Sequence, residues 1–143
     1  MVNLLYIWIL FSAIFDAPVS YVQLGKVAVI VHESVKSDEL SSQQLLDIYT
    51  LNAQNWSDGK KIYVTDFKGD SEIRTKFYNY MSINKNDMKR IWLRKQFSGS
   101  GTPPLTVKTA EEMIEKVLSK PGTVGYVPVD KIPLNTRVIV TID

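Results

Sequence analysis

Between Ile62 and Phe77 the sequence reads IYVTDFKGDSEIRTKF, a set of residue types suited to holding a small anion. The reading is an extended run, Ile62–Asp66, then a short loop closed by Gly69, then a helix opening near Asp70 or Ser71. The first amides of a helix have no acceptors within it, and the helix dipole places partial positive charge beside them. Such a start is a ready site for phosphate-like anions. Ser71 adds a hydroxyl donor and Arg74, one turn on, a fork of N–H donors. The same residues also read as an ordinary helix capped by Asp70 or Ser71. Spacing alone leaves both readings open.

Other chemistries find less support. The chain has no cysteine, which excludes disulfides, thiol catalysis and thiolate metal sites. Its one histidine, His32, cannot supply a His-rich metal site and reads as a solvated loop residue. Glu111 and Glu112 are helical neighbours that point about 100° apart, so they form no catalytic pair. With neither a nucleophile and base nor paired acids in view, the expectation is a non-enzyme with no cofactor and no metal. Seventeen basic against fifteen acidic side chains give a net charge of +2 without a long charge block, which argues against a nucleic-acid partner. Lys85, Lys89, Arg90, Arg94 and Lys95 make one basic helix, read as a solvated face. In the FSGSGTPP loop, Phe97–Pro104, glycine permits close approach, so Ser98 and Ser100 are further candidates to reach the anion. Trp56 reads as a packing anchor for the Asn55–Gly59 turn.

These residues need a scaffold. Leu4–Phe15 is an apolar run broken only by Ser12, too short to span a bilayer and fitting the core of a secretory signal. The expected organisation is therefore a signal at 1–20 and one domain at 21–143, exported to the periplasm or secreted. Val27–Val31 is a β-branched apolar run, as in a strand buried on both faces. Ser41 and Gln44 have capping-box spacing, with Leu45, Ile48 and Tyr49 as the apolar face of the helix they open. Asp87 begins or caps a third helix. Thr109 caps a fourth, with Glu111 and Glu112 in its first turn and Pro121-Gly122 beyond its end. Val124–Val127 and Val138–Ile142 read as strands. The alternation implies an α/β sheet that is at least partly parallel.

The series LLDIYTLNAQNWSDGKKIYV, then GDSEIRTKF, then Trp92 followed by FSGSG, then IEKVLSKPGTVGYV resembles the phosphate-binding proteins of ABC importers. More narrowly it is similar to their short, single-lobe relatives, over about Val27 to Val127. The resemblance implies one lobe of the type II periplasmic-binding-protein fold, a mixed, mostly parallel sheet flanked by helices. It implies binding of a small oxyanion, phosphate foremost, in connection with phosphate uptake. The implied ligand residues are Gly69, Ser71 and Arg74, with Lys68, Ser98 and Ser100 behind them. The sequence departs from the family turn. Asp66 or Phe67 stands where the family arginine is expected, and Gly69-Asp70-Ser71-Glu72 replaces a Gly-Ser-Gly-Thr core. Two carboxylates then face an approaching anion, which motivates an alternative: a protein-interaction module that keeps the lobe and has lost its ligand. A single lobe excludes less water than a closed pair, so each hydrogen bond to an anion gains less. The expected partners are therefore a second copy of the chain, or a membrane-transport or envelope protein.

Overall fold

The computed structural model describes residues 25–143. The expected signal and its boundary at residue 20 lie outside the described residues. Along the chain run β1 (Val27–Val31), α1 (Ser42–Tyr49), β2 (Tyr63–Phe67), α2 (Glu72–Tyr80), α3 (Lys85–Phe97), β3 (Leu105–Val107), α4 (Ala110–Ser119), β4 (Thr123–Pro128), a short 3-10 turn (Val129–Lys131) and β5 (Arg137–Ile142). The five strands form one sheet in the order β3-β2-β4-β1-β5. Pairing of β2 with β3 and with β4 is parallel, while β1 runs antiparallel to both β4 and β5. The sheet is mixed, as expected, but only partly rather than mostly parallel: its parallel pairings are confined to the β3-β2-β4 side, because β1 runs against both of its neighbours.

Position in the sheet explains composition. β1 lies between two strands, and all five of its side chains are buried, which is why VAVIV shows no alternation. β4 shows the period of two through its neighbours. Tyr126 stacks on Phe77 of α2 at 3.9 Å between ring centroids and meets Tyr49 of α1 at 6.2 Å. Gly125, pointing the other way, lies under α4, where an added Cβ would stand 2.5 Å from Met113 Sδ. Helices α1 and α2 thus cover one face and α4 the other. Helix α3 buries Met88 and is tied to α1 by Trp92, whose Nε1 donates to the Tyr49 carbonyl at 2.7 Å.

Helix starts follow local chemistry. Ser41 and Gln44 form the reciprocal capping box, and Thr109 caps α4 by accepting from Glu112 N. For α3 the cap is Asn84, whose side chain accepts from Asp87 N at 2.9 Å; Asp87 sits inside the first turn rather than before it. Trp56 is 6% exposed and donates Nε1 to the Gly122 carbonyl at 3.0 Å, tying its turn to the entrance of β4.

Candidate functional site

The loop between β2 and α2 leads from a parallel strand into a capped helix start. Lys68 N donates to the Val107 carbonyl at 2.8 Å, continuing the parallel ladder one residue past the end of β2. Gly69 then turns the chain at φ +81°, a conformation that glycine adopts at least cost. Ser71 is extended (φ −150°, ψ 158°) and caps α2, its Oγ accepting from Arg74 N at 3.2 Å. Among the described residues no acceptor takes the amides of Asp70, Ser71, Glu72 or Ile73. That leaves a short run of unpaired donors among the described residues at the positive end of α2.

Arg74 is committed elsewhere. Its Nε and one terminal nitrogen donate to Asp66 Oδ2 at 3.2 and 3.0 Å, and that nitrogen also donates to Tyr78 Oη at 3.0 Å. The other terminal nitrogen donates to the Gly69 carbonyl at 3.0 Å. Asp66 is fully buried and accepts three further hydrogen bonds. Tyr78 donates to Oδ2 at 2.6 Å, Tyr126 to Oδ1 at 2.5 Å and Phe67 N to Oδ1 at 2.9 Å. Burial alone would lower the Arg74 guanidinium, but the Asp66 carboxylate and Tyr78 outweigh it and hold it above its ordinary value. Burial first, and the Asp66 charge second, push the phenols of Tyr49, Tyr78 and Tyr126 upward, so they stay protonated donors. The guanidinium is therefore a clasp that joins the end of β2, the loop carbonyl and α2.

Asp70 does not close the amide site. Its carboxylate pairs with Lys85 Nζ of α3 at 2.6 Å, and that hydrogen bond and charge hold it below the usual carboxylate range. Lys68 and Glu72 are exposed beside the same loop. Gly69, Ser71, Arg74 and Lys68 thus come together. Ser98 and Ser100 do not. Ser98 caps the far end of α3, and the Ser100 carbonyl accepts from Gln54, whose own carbonyl accepts from Ile62 N at the entrance of β2. The length of β2, roughly 16 Å, separates the two serines from Gly69. His32 is also at the entrance end. It follows β1, its Nδ1 accepts from Ser34 N at 3.0 Å, and Ser34 Oγ accepts from Gly122 N.

The network around Asp66 escapes a reading by motif. Its traces in the sequence are a single acid inside an apolar strand and an Arg-Tyr pair four apart on the next helix, which places both on one face. A cavity of about 890 Å³ is not at the α2 start either. It lies at the entrance end of β2, beside the Ser100–Leu105 loop. No group of three or more His, Cys, Asp or Glu side chains suited to a metal ion occurs among the described residues. Nor is any helix there long and apolar enough to cross a membrane.

A mixed sheet between two helical layers, with a glycine loop running from a parallel strand into a capped helix, defines one lobe of the periplasmic-binding-protein fold. Among solved structures it is similar to an ABC-type phosphate transport receptor from Vibrio cholerae, with TM-score 0.64 and 21% identity over 81% of this chain and 46% of the receptor. A Clostridium perfringens protein assigned as a phosphate ABC transporter substrate-binding protein, solved with phosphate bound, gives 0.66 and 16% over 81% of this chain and 45% of that one. PstS from Borrelia burgdorferi gives 0.58 and 17%, over 80% and 47%. The chain spans less than half the length of each of these proteins. At these identities the likeness is one of fold. No family model matches the sequence, and no curated protein matches it.

Proposed function

We propose that this chain is an exported, non-enzymatic solute-binding-like domain that holds a small oxyanion, phosphate first, at the opening of α2. The observation that carries the reading is the run of amides from Asp70 to Ile73 with no acceptor among the described residues, set at the end of a parallel strand by the positive-φ turn at Gly69. The likeness of the fold to phosphate receptors supports the choice of anion. Gly69 and Ser71 offer the backbone, Lys68 the nearby cation, and Arg74 acts by fixing the loop, with only a minor share of its donors left for an anion. Affinity is modest, because Asp70 and Glu72 add negative charge and one lobe leaves the anion wet. A second copy, or a membrane-transport or envelope protein, covers the open side when binding tightens, which links the domain to phosphate uptake.

Calorimetry at low salt with phosphate, sulfate and arsenate, joined to amide chemical shifts, tests the site. Phosphate should release heat and move the amides of Gly69 to Ile73, and changing Lys68 and Ser71 together to Ala should weaken both signals. Millimolar phosphate that leaves those amides unmoved overturns the assignment. Mass spectrometry of the exported protein tests the leader, expecting loss of about the first twenty residues.

A second reading has its own support. With the guanidinium consumed by Asp66, Gly69 and Tyr78 and two carboxylates beside the loop, the lobe also suits a protein-interaction module that has lost its ligand. That module would show no heat with any of the three anions while remaining fully folded.

A further inference from the structure

The cavity at the entrance of β2 is unused by the reading above. It opens because β3 joins β2 only from Thr65 onward, while Tyr63 and Val64 are paired on the β4 side alone. The segment before β3 swings away and makes the opposite wall, with Pro103 and Pro104 lining it. A volume of about 890 Å³ falls in the range that takes one small organic molecule.

Its charge is one-sided. Lys61, Lys116 and Lys120 line it, no Asp or Glu does, and none of the three lysines pairs with a carboxylate among the described residues. Two of these cations share one ring. The Lys120 ammonium lies 3.6 Å, and that of Lys61 5.3 Å, from the centroid of Tyr63. Two like charges near one aromatic repel each other, and an anion that reaches both relieves that repulsion. Lys116, one helical turn before Lys120, supplies a third positive charge along the same wall. Thr123 gives an independent sign. It lines the cavity, is 2% exposed, and its buried hydroxyl has no hydrogen-bond partner. Buried hydroxyls are normally paired, so this one is a donor held in reserve.

We infer that this cavity is a second anion site, separate from the α2 start, for a small organic phosphate. Its ligand has a compact apolar or aromatic body and a head group with two or more negative charges, as in a nucleoside diphosphate. The head group bridges Lys61 and Lys120 with Lys116 behind, and the body lies between Tyr63 and the proline wall.

Adenosine diphosphate is the probe, with pyrophosphate and adenosine as its halves, titrated into the full chain at low salt and followed by amide chemical shifts. The diphosphate should move amides of Ser100–Leu105 and Lys116–Thr123. Pyrophosphate should do so more weakly, and adenosine hardly at all. Changing Lys61 and Lys120 together to Gln touches only exposed side chains, so the fold should persist, and affinity should fall tenfold or more. Thr123→Val removes the spare hydroxyl without changing the side chain's shape and should lower affinity several-fold. A Lys68→Ala, Ser71→Ala protein should bind the diphosphate as before, which separates this site from the proposed phosphate site. The inference fails if the diphosphate leaves this cavity's amides unmoved, if its shifts are confined to Gly69–Ile73, or if the double glutamine protein binds it unchanged.

Discussion

Replacing Arg74 by alanine tests whether the guanidinium is a structural clasp or a free ligand for anions. In the folded chain the change strips Asp66 Oδ2 of two charged hydrogen bonds and frees the Gly69 carbonyl. Asp66 is fully buried, while the Arg74 side chain is 15% exposed. Removing one partner of a buried ion pair costs about 3–5 kcal/mol, chiefly through the stranded charge. Tyr78, Tyr126 and the Phe67 amide still donate to the carboxylate, and the guanidinium is partly wet, so the lower end applies: about 3 kcal/mol. For a domain of this size that corresponds to a fall in melting temperature of roughly 10–15 °C. Urea unfolding and thermal melts by circular dichroism measure it directly. The same change made in an Asp66→Asn background should cost only about 1 kcal/mol, since no charge is then stranded. Arg74→Lys should recover little, because an ammonium cannot reproduce the fork. A melting temperature within a few degrees of the parent, together with loss of phosphate heat, would refute the clasp and make Arg74 a direct anion ligand.

Three other outcomes follow from named contacts. The phenols of Tyr49, Tyr78 and Tyr126 are raised in the fold by burial and by Asp66, while unfolded tyrosines ionise near pH 10. Their contribution is therefore complete below about pH 10 and is lost as pH rises beyond it, at about 1.4 kcal/mol per unit for each phenol. Urea midpoints taken across that range should fall steeply, and less steeply in Tyr78→Phe; a flat profile contradicts the assignment. Gly122→Ala forces a Cβ to 2.4 Å from the Lys61 carbonyl at φ +82°, so soluble yield and melting temperature should both drop sharply. Asp70→Asn removes an exposed charge next to the amides and should raise phosphate affinity by about threefold, read by calorimetry at low salt. Unchanged or weaker binding would place the anion away from this loop.

Local chemistry was readable from the chain. The bounds of β1, the Ser41–Gln44 box, the Ser71 cap and the Thr109 cap all depend on residues a few positions apart, whose side chains reach backbone groups wherever the helix finally packs. What depended on remote partners was not. β3 has three residues, and only the presence of Thr65–Phe67 beside it makes it a strand. The direction of Arg74 is set by Asp66, which is held in turn by Tyr126, sixty residues further on. Ser98 and Ser100 have the same residue types as an anion loop, but the length of β2 puts them at its other end. Pattern identifies a helix start; it does not say which end of a sheet another loop will reach.

The placement of β1 has a consequence for how the chain matures. Its five apolar residues come early, yet both of the strands that flank it, β4 and β5, come at the close of the described chain. During synthesis VAVIV therefore waits for more than ninety residues without either neighbour, both of its hydrogen-bonding edges unpaired. Such a segment invites chaperone capture, and removing β5 would turn the apolar β1 into the edge strand of the sheet, open to aggregation.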